Sequence, residues 1–333
     1  MERDVLVGAL GTAWLVGLCI TMLVLWAVRR WQRLVIPSAR DAHTIPMPAG
    51  GGLGIIAGFV AGHIVAGISF SAYWWGAMGC ILVAFGDDVV RPFSVVEKTL
   101  LIVFATVVLL VDPAWYGGEY TGNLASVYTI FLLMFGLAWF FGLCNVFNFM
   151  DGIDGLSVTQ SMLIAGWIAV YVTPSNEMLA NQLWIFVASL AGFLVLNRPP
   201  ARIFMGDIGA LFCGFVVAAF SLMAVRENVW PGYIVLLLSY YLFDTSYTLV
   251  RRLINGENPI RAHNKHLYQR LVRMGWSHGQ VNLWAGCMTL ANGMGVYCDM
   301  VGLPVVAMVC WGISAVALFA SVLIVERRVP SFV

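Results

Sequence analysis

Eleven apolar runs of roughly membrane-spanning length leave this chain few ways to fold. They lie near 5–28, 51–70, 72–86, 99–112, 126–147, 156–173, 179–196, 208–225, 231–250, 279–298 and 302–325. Hydrophobic residues make up 61 % of the chain and charged residues only 11 %, the balance of a protein that lives in lipid. The predicted fold is all-α: a polytopic integral membrane protein of about eleven transmembrane helices, forming one domain over residues 1–333. Several runs are rich in Gly, as expected where membrane helices pack closely. The first, Val5 to Val28, is too long for a signal-peptide core and has no small-x-small cleavage site, so it reads as the first span.

Charge then orients the bundle. With eleven spans and an outside N-terminus, the inside loops collect 16 of the 18 Lys and Arg residues, and only Arg3 and Arg226 remain outside. The positive-inside bias favours this arrangement, which puts the C-terminus in the cytoplasm. A net charge of +1 without a basic run interleaved with aromatics gives no sign of nucleic-acid binding. The seven cysteines sit in or beside apolar runs with no Cys-x-x-Cys pair, and read as small buried hydrophobes.

On this topology every unusual polar cluster falls on the cytoplasmic face. The densest is Asn145-Val146-Phe147-Asn148-Phe149-Met150-Asp151-Gly152-Ile153-Asp154-Gly155-Leu156. Read as helical up to Gly152, it steps Asn145, Asn148 and Asp151 by three along one ridge. Gly152 and Gly155 then let carboxylates and main-chain N–H groups approach a ligand. Oxygen donors with no Cys or His cluster nearby suit a hard cation such as magnesium, often bound together with phosphate. An Asx-rich turn capping two helices is the plainer alternative, but two amides and two carboxylates exceed what capping needs.

Three further clusters share that face. Asp87-Asp88 ends the third run, with Arg91 and Lys98 downstream; adjacent carboxylates repel unless a cation or basic group compensates them. Asp207, in Phe204-Met205-Gly206-Asp207-Ile208-Gly209, precedes the eighth run and by itself would read as an N-cap. Arg261-Ala262-His263-Asn264-Lys265-His266-Leu267-Tyr268-Gln269-Arg270 lies in the longest cytoplasmic loop, where a solvated basic loop is the plain reading. His63, alone in a Gly-rich run, is expected to hydrogen-bond a neighbouring helix. Trp31, Trp74, Trp115 and Trp230 are expected as interfacial anchors.

The pattern from Asn145 to Leu156 resembles the Asn-x-x-Asn-x-x-Asp-Gly-x-Asp-Gly-Leu signature of polyprenyl-phosphate N-acetylhexosamine-1-phosphate transferases. That family includes the muropeptide-phosphate translocase and the enzymes that start O-antigen and teichoic-acid linkage chains. The resemblance extends in family order from about Arg40 to Arg270. It takes in the Asp87-Asp88 pair, the Met-Gly-Asp-x-Gly element, Asp244-Thr245, Arg251-Arg252, and Arg40-Asp41-x-His43-Thr44-x-Pro46-x-Pro48-x-Gly50-Gly51-Gly52. It departs at the His element, where His263 and His266 flank Asn264-Lys265 in place of His-x-His-His. The first loop and the His element both differ from the muropeptide pattern, so the likeness is nearer to the O-antigen branch.

This resemblance implies transfer of N-acetylhexosamine 1-phosphate from a UDP-N-acetylhexosamine to undecaprenyl phosphate, releasing UMP, at the cytoplasmic face of a bacterial inner membrane. It implies Mg²⁺, with Mn²⁺ as a substitute, on Asn148 and Asp207. It assigns Asp87 or Asp88 to positioning or deprotonating the lipid phosphate, and Asp151 and Asp154 to shaping the pocket, with part of the metal or base role. Asn145, Lys98, Arg261, His263, Lys265 and His266 are assigned to substrate binding. Direct attack and a covalent aspartyl intermediate both stay open, as does a homodimer; the remaining expected partner is membrane lipid. Three rival classes fit less well, among them a non-catalytic membrane scaffold, which would not need four polar clusters on one face. A secondary transporter calls for ionisable groups near the midplane, and the longer Asp and Gly pattern of CDP-alcohol phosphotransferases is missing.

Overall fold

The computed structural model describes residues 2–32, 34–35, 46–69, 76, 79, 95–110, 127–258 and 263–328. Asp87, Asp88, Arg91 and Arg261 lie outside them, as does nearly all of the third apolar run. The other ten runs fall on helices. These are α1 (Arg3–Arg30), α2 (Gly52–Val65), α3 (Val95–Leu110), α4 (Val127–Met150), α5 (Leu156–Val172), α6 (Glu177–Asn197), α7 (Gly206–Arg226), α8 (Pro231–Leu237), α9 (Ser239–Ile254), α11 (His278–Met300) and α12 (Pro304–Arg328). A short α10 (Leu267–Arg273) lies in the long loop before α11. Among the described residues five helices are long and apolar enough to cross a membrane: α1, α4, α6, α7 and α12. The number becomes six if α8 and α9 form one span.

That pair is the main departure from the sequence pattern. The continuous run 231–250 is broken at Leu238, and its two halves bend by 73°. The break is held from outside: Asn292 Nδ2 on α11 donates to Leu236 O at 3.0 Å and to Ser239 Oγ at 2.8 Å. An amide from another helix thus satisfies a carbonyl at the interruption. Beyond the break α9 turns polar side chains inward, with Asp244, Thr245, Thr248 and Arg252 all buried.

α7 forms the centre, buried along almost its whole length and packed against α4, α5 and α2. α1 lies against α2 and α6, and α12 against α11 on the outside. A two-residue antiparallel ribbon, β1 (Leu34–Val35) with β2 (Met47–Pro48), is the one non-helical element among the described residues. Of the described cysteines, Cys144, Cys213 and Cys298 are buried as expected, whereas Cys19 and Cys287 are exposed on outer helices. His63 is buried, and its Nδ1 lies 2.9 Å from Phe59 O of its own helix rather than reaching only a neighbour. Trp31 and Trp230 are exposed at helix ends.

Candidate functional site

The end of α4, the start of α7 and the glycine run before α2 meet at one point. α4 stops at Met150, before the Gly152 read from the sequence, so Asp151 leaves the helical ridge. Asn145 turns its amide back to Phe141 O at 2.7 Å within the helix. Asn148, one turn on, donates from Nδ2 to Asp207 Oδ1 at 3.0 Å. Asp207 lies in the first turn of α7, whose N-cap position is Met205. It is therefore not the N-cap, although it gains from the positive end of the helix dipole. The main chain locks this turn in place: Gly51 N donates to Phe204 O at 3.0 Å, Gly52 N to Met205 O at 2.9 Å, and Phe204 N to Pro48 O at 2.8 Å. A Cβ on Gly52 would meet Gly209 Cα at 2.3 Å, so this glycine packs against the Met-Gly-Asp element rather than simply opening a span.

Asp151 is half-buried beside this pair. Burial pushes its carboxyl well above the usual carboxylate range, a hydrogen bond with Ser157 opposes this, and the carboxylates of Asp207 and Asp154 add to it. Asp154 has other work. Its Oδ2 accepts Ala201 N–H at 3.0 Å and lies 3.2 Å from His278 Nδ1, while its carbonyl accepts Asn282 Nδ2 at 2.8 Å. Next to it Gly155 N donates to Asn197 Oδ1 at 3.0 Å, and Asn197 Nδ2 donates to Ile203 O at 2.9 Å. Asp154 and Asn197 thus tie the signature loop to the 198–205 connection and to the start of α11.

The His element docks on the same loop. Tyr268 Oη donates to Phe149 O at 3.0 Å, and a Cβ on Gly152 would lie 2.1 Å from that hydroxyl. The His266 ring is buried, 6.2 Å between centroids from Phe149, and stacks on His263 at 4.9 Å and Tyr268 at 5.8 Å. Burial pushes His263 down to about 4, helped by His266 and Arg252. Lys265 Nζ pairs with Glu257 Oε1, and Arg252 Nε with Glu257 Oε2 at 3.1 Å. The Lys265 hydrogen bond is the main influence holding the Glu257 carboxyl below its usual range.

A sequence model described as glycosyl transferase family 4 matches residues 70–225, which takes in the Asp87-Asp88 pair, the central signature and Asp207. A Bacillus subtilis protein named "Probable undecaprenyl-phosphate N-acetylglucosaminyl 1-phosphate transferase" is 32 % identical over 254 residues, 73 % of this chain and 70 % of its own length. The chain belongs to the polyprenyl-phosphate N-acetylhexosamine-1-phosphate transferase family. A decaprenyl-phosphate N-acetylglucosaminephosphotransferase of Mycolicibacterium smegmatis is 27 % identical over 315 residues, 81 % of this chain and 77 % of that one. A phospho-N-acetylmuramoyl-pentapeptide-transferase of Streptococcus pneumoniae is 33 % identical over 180 residues, 50 % of this chain and 52 % of that one. Like them, this is a multi-pass membrane transferase.

For this family member the structure brings together Asn148, Asp151, Asp154, Asp207, His263, Lys265 and His266 at one end of the bundle. Asn145 is nearby but turned into its own helix. Lys98 falls in the first turn of α3, while Asp87, Asp88 and Arg261 lie outside the described residues. The residues present fit a magnesium ion. Asn148 and Asp207 supply adjacent oxygen-bearing side chains, and Asp151 beside them feels the carboxylates of Asp207 and Asp154, an influence a cation would offset. Among the described residues no three His, Cys, Asp or Glu side chains form a metal cage.

Sequence reasoning gave no role to Asp244, Asn197, Tyr268 or His278. Asp244 carried a usable signal, because a carboxylate inside the apolar run 231–250 needs a partner. Asn197, Tyr268 and His278 carried none, since each acts on a loop at least 40 positions away in the chain.

Proposed function

We propose that this protein transfers N-acetylhexosamine 1-phosphate from a UDP-sugar to undecaprenyl phosphate, releasing UMP, and so starts an O-antigen-type or related envelope glycan. The Asn148–Asp207 contact carries the reading: two motifs 59 positions apart, both expected from the resemblance to hold metal, meet at 3.0 Å. The relatives named as N-acetylglucosamine 1-phosphate transferases support the class of donor. The eleven-span arrangement with this end in the cytoplasm of a bacterial inner membrane belongs to the same proposal. It is supported by the distribution of basic residues and by the gathering of all the described polar motifs at one end.

In the reaction the bond from the sugar-bearing phosphorus to the UMP oxygen breaks and one to a lipid-phosphate oxygen forms, by direct attack or through a covalent aspartyl intermediate. Asn148 and Asp207 would hold Mg²⁺ in this site, where it neutralises negative charge on the diphosphate. Asp87 or Asp88 positions or deprotonates the lipid phosphate. Lys265 and His266 contact the donor diphosphate as charge-assisted and hydrogen-bonding groups. Asp151 shapes the floor between them, and Asp154 fastens that floor to the 198–205 connection.

Purified protein with undecaprenyl phosphate, Mg²⁺ and a panel of UDP-N-acetylhexosamines tests this by UMP release. Turnover with at least one donor is expected. Absence of UMP with every donor, or release that does not depend on the lipid phosphate, contradicts the proposal.

A further inference from the structure

Asp244 sits at the hub of the His element. It is fully buried on α9, just past the break at Leu238. Its Oδ1 accepts Leu267 N–H at 2.9 Å and Thr248 Oγ1–H at 3.2 Å and lies 3.0 Å from His266 Nδ1; its Oδ2 accepts Tyr268 N–H at 3.0 Å. One carboxylate therefore holds both the first turn of α10 and the imidazole that precedes it. The other ring nitrogen of His266, Nε2, is also buried, yet it has no hydrogen-bond partner among the described residues. An imidazole nitrogen left unpaired out of water is costly unless a ligand completes it. The ring is pinned by stacking on His263 and Tyr268 and lies against Phe149, the residue next to Asn148.

We infer that Asp244 is a positioning residue for the transfer reaction: by engaging His266 Nδ1 and the start of α10 it aims His266 Nε2 at the phosphates of the UDP-sugar. Asp244 itself touches no substrate. It acts through His266, as a second carboxylate fixes the orientation and tautomer of a working histidine elsewhere. Tyr268, held by the same carboxylate, carries this order onto the signature loop through its bond to Phe149 O. The inference rests on the transferase reading and adds to it the residue that sets the geometry of the donor contact.

A double-mutant cycle tests it. Asp244→Asn, His266→Ala and the double variant are compared for kcat and KM toward the UDP-sugar at saturating undecaprenyl phosphate, with thermal unfolding followed in the same detergent. Asp244→Asn is expected to lower kcat/KM about tenfold or more, His266→Ala at least as much, and the double variant to stay within about twofold of His266→Ala. Losses that multiply in the double variant overturn the inference and leave Asp244 as a structural cap. If Asp244→Asn does not fold, Asp244→Glu replaces it under the same criterion, since it keeps the charge and displaces only the geometry. A wild type that releases no UMP overturns the transferase reading and this inference with it; an active wild type with multiplying losses overturns the inference alone.

Discussion

The two ends of the helix bundle are built from similar apolar segments but cross-linked very differently. At one end Asn148, Asp154, Asn197, Asp244 and Tyr268 tie together helices and loops that are distant in sequence. At the other end Asn176 Nδ2 meets Glu227 Oε1 at 2.9 Å and Tyr233 donates to Asp299. Those contacts close helix termini. Polar side chains at a membrane boundary therefore have two distinct uses here. One set finishes helices, as Asn176 does by accepting Leu179 N–H at 2.9 Å; the other brings the carboxylates of Asp154 and Asp207 close enough to Asp151 to raise the cost of ionising it.

The largest expected effect breaks the comparison if it fails. Asp207→Asn should leave thermal unfolding unchanged, because an amide is tolerated in the first turn of α7. UMP release should fall about a hundredfold or more through loss of a charged metal ligand. Near-normal turnover at saturating Mg²⁺ would remove Asp207 from the metal site and make the two ends alike.

Lys265→Ala comes next. One charge-assisted contact to the diphosphate is lost, about 1.5–3 kcal/mol, seen as a higher KM for the UDP-sugar with the lipid-phosphate dependence unchanged. A change confined to the lipid substrate would exchange the assignments of the His loop and the Asp87-Asp88 pair. Asp154→Ala should behave differently from both. It leaves Ala201 N–H without its acceptor and removes the carboxylate beside His278, so stability should fall by about 1–3 kcal/mol together with activity. Activity lost with full retention of stability would return Asp154 to a direct catalytic role. The smallest effect is Asn176→Ala at the far end: about 1 kcal/mol of stability from the lost cap, read as a drop in melting temperature, with kcat untouched.

Much of this contrast was legible in the chain. Apolar run length locates ten described helices or helix pairs, and the resemblance pairs Asn148 with Asp207, which do meet. The broken run at Leu238 was not legible, because no Gly or Pro marks it and Asn292, 54 positions later than Leu238, supports it. The contacts of Asp154 were not legible either. Its sequence neighbours suggest metal chemistry, while its actual partners, Ala201 and His278, come from other loops. Local pattern carries the elements; the uses of individual carboxylates depend on who arrives from far along the chain.

Sidedness tests the central claim most directly. Sealed vesicles of either orientation, loaded with undecaprenyl phosphate, are given an impermeant UDP-N-acetylhexosamine from outside, and UMP is followed; single cysteines at Ser175 and Asn255, both exposed, report each vesicle's orientation by labelling. UMP is expected from inside-out vesicles alone, the same vesicles in which Asn255→Cys is labelled and Ser175→Cys is not. UMP from right-side-out vesicles, or labelling of Ser175→Cys on the face that turns over substrate, would contradict it.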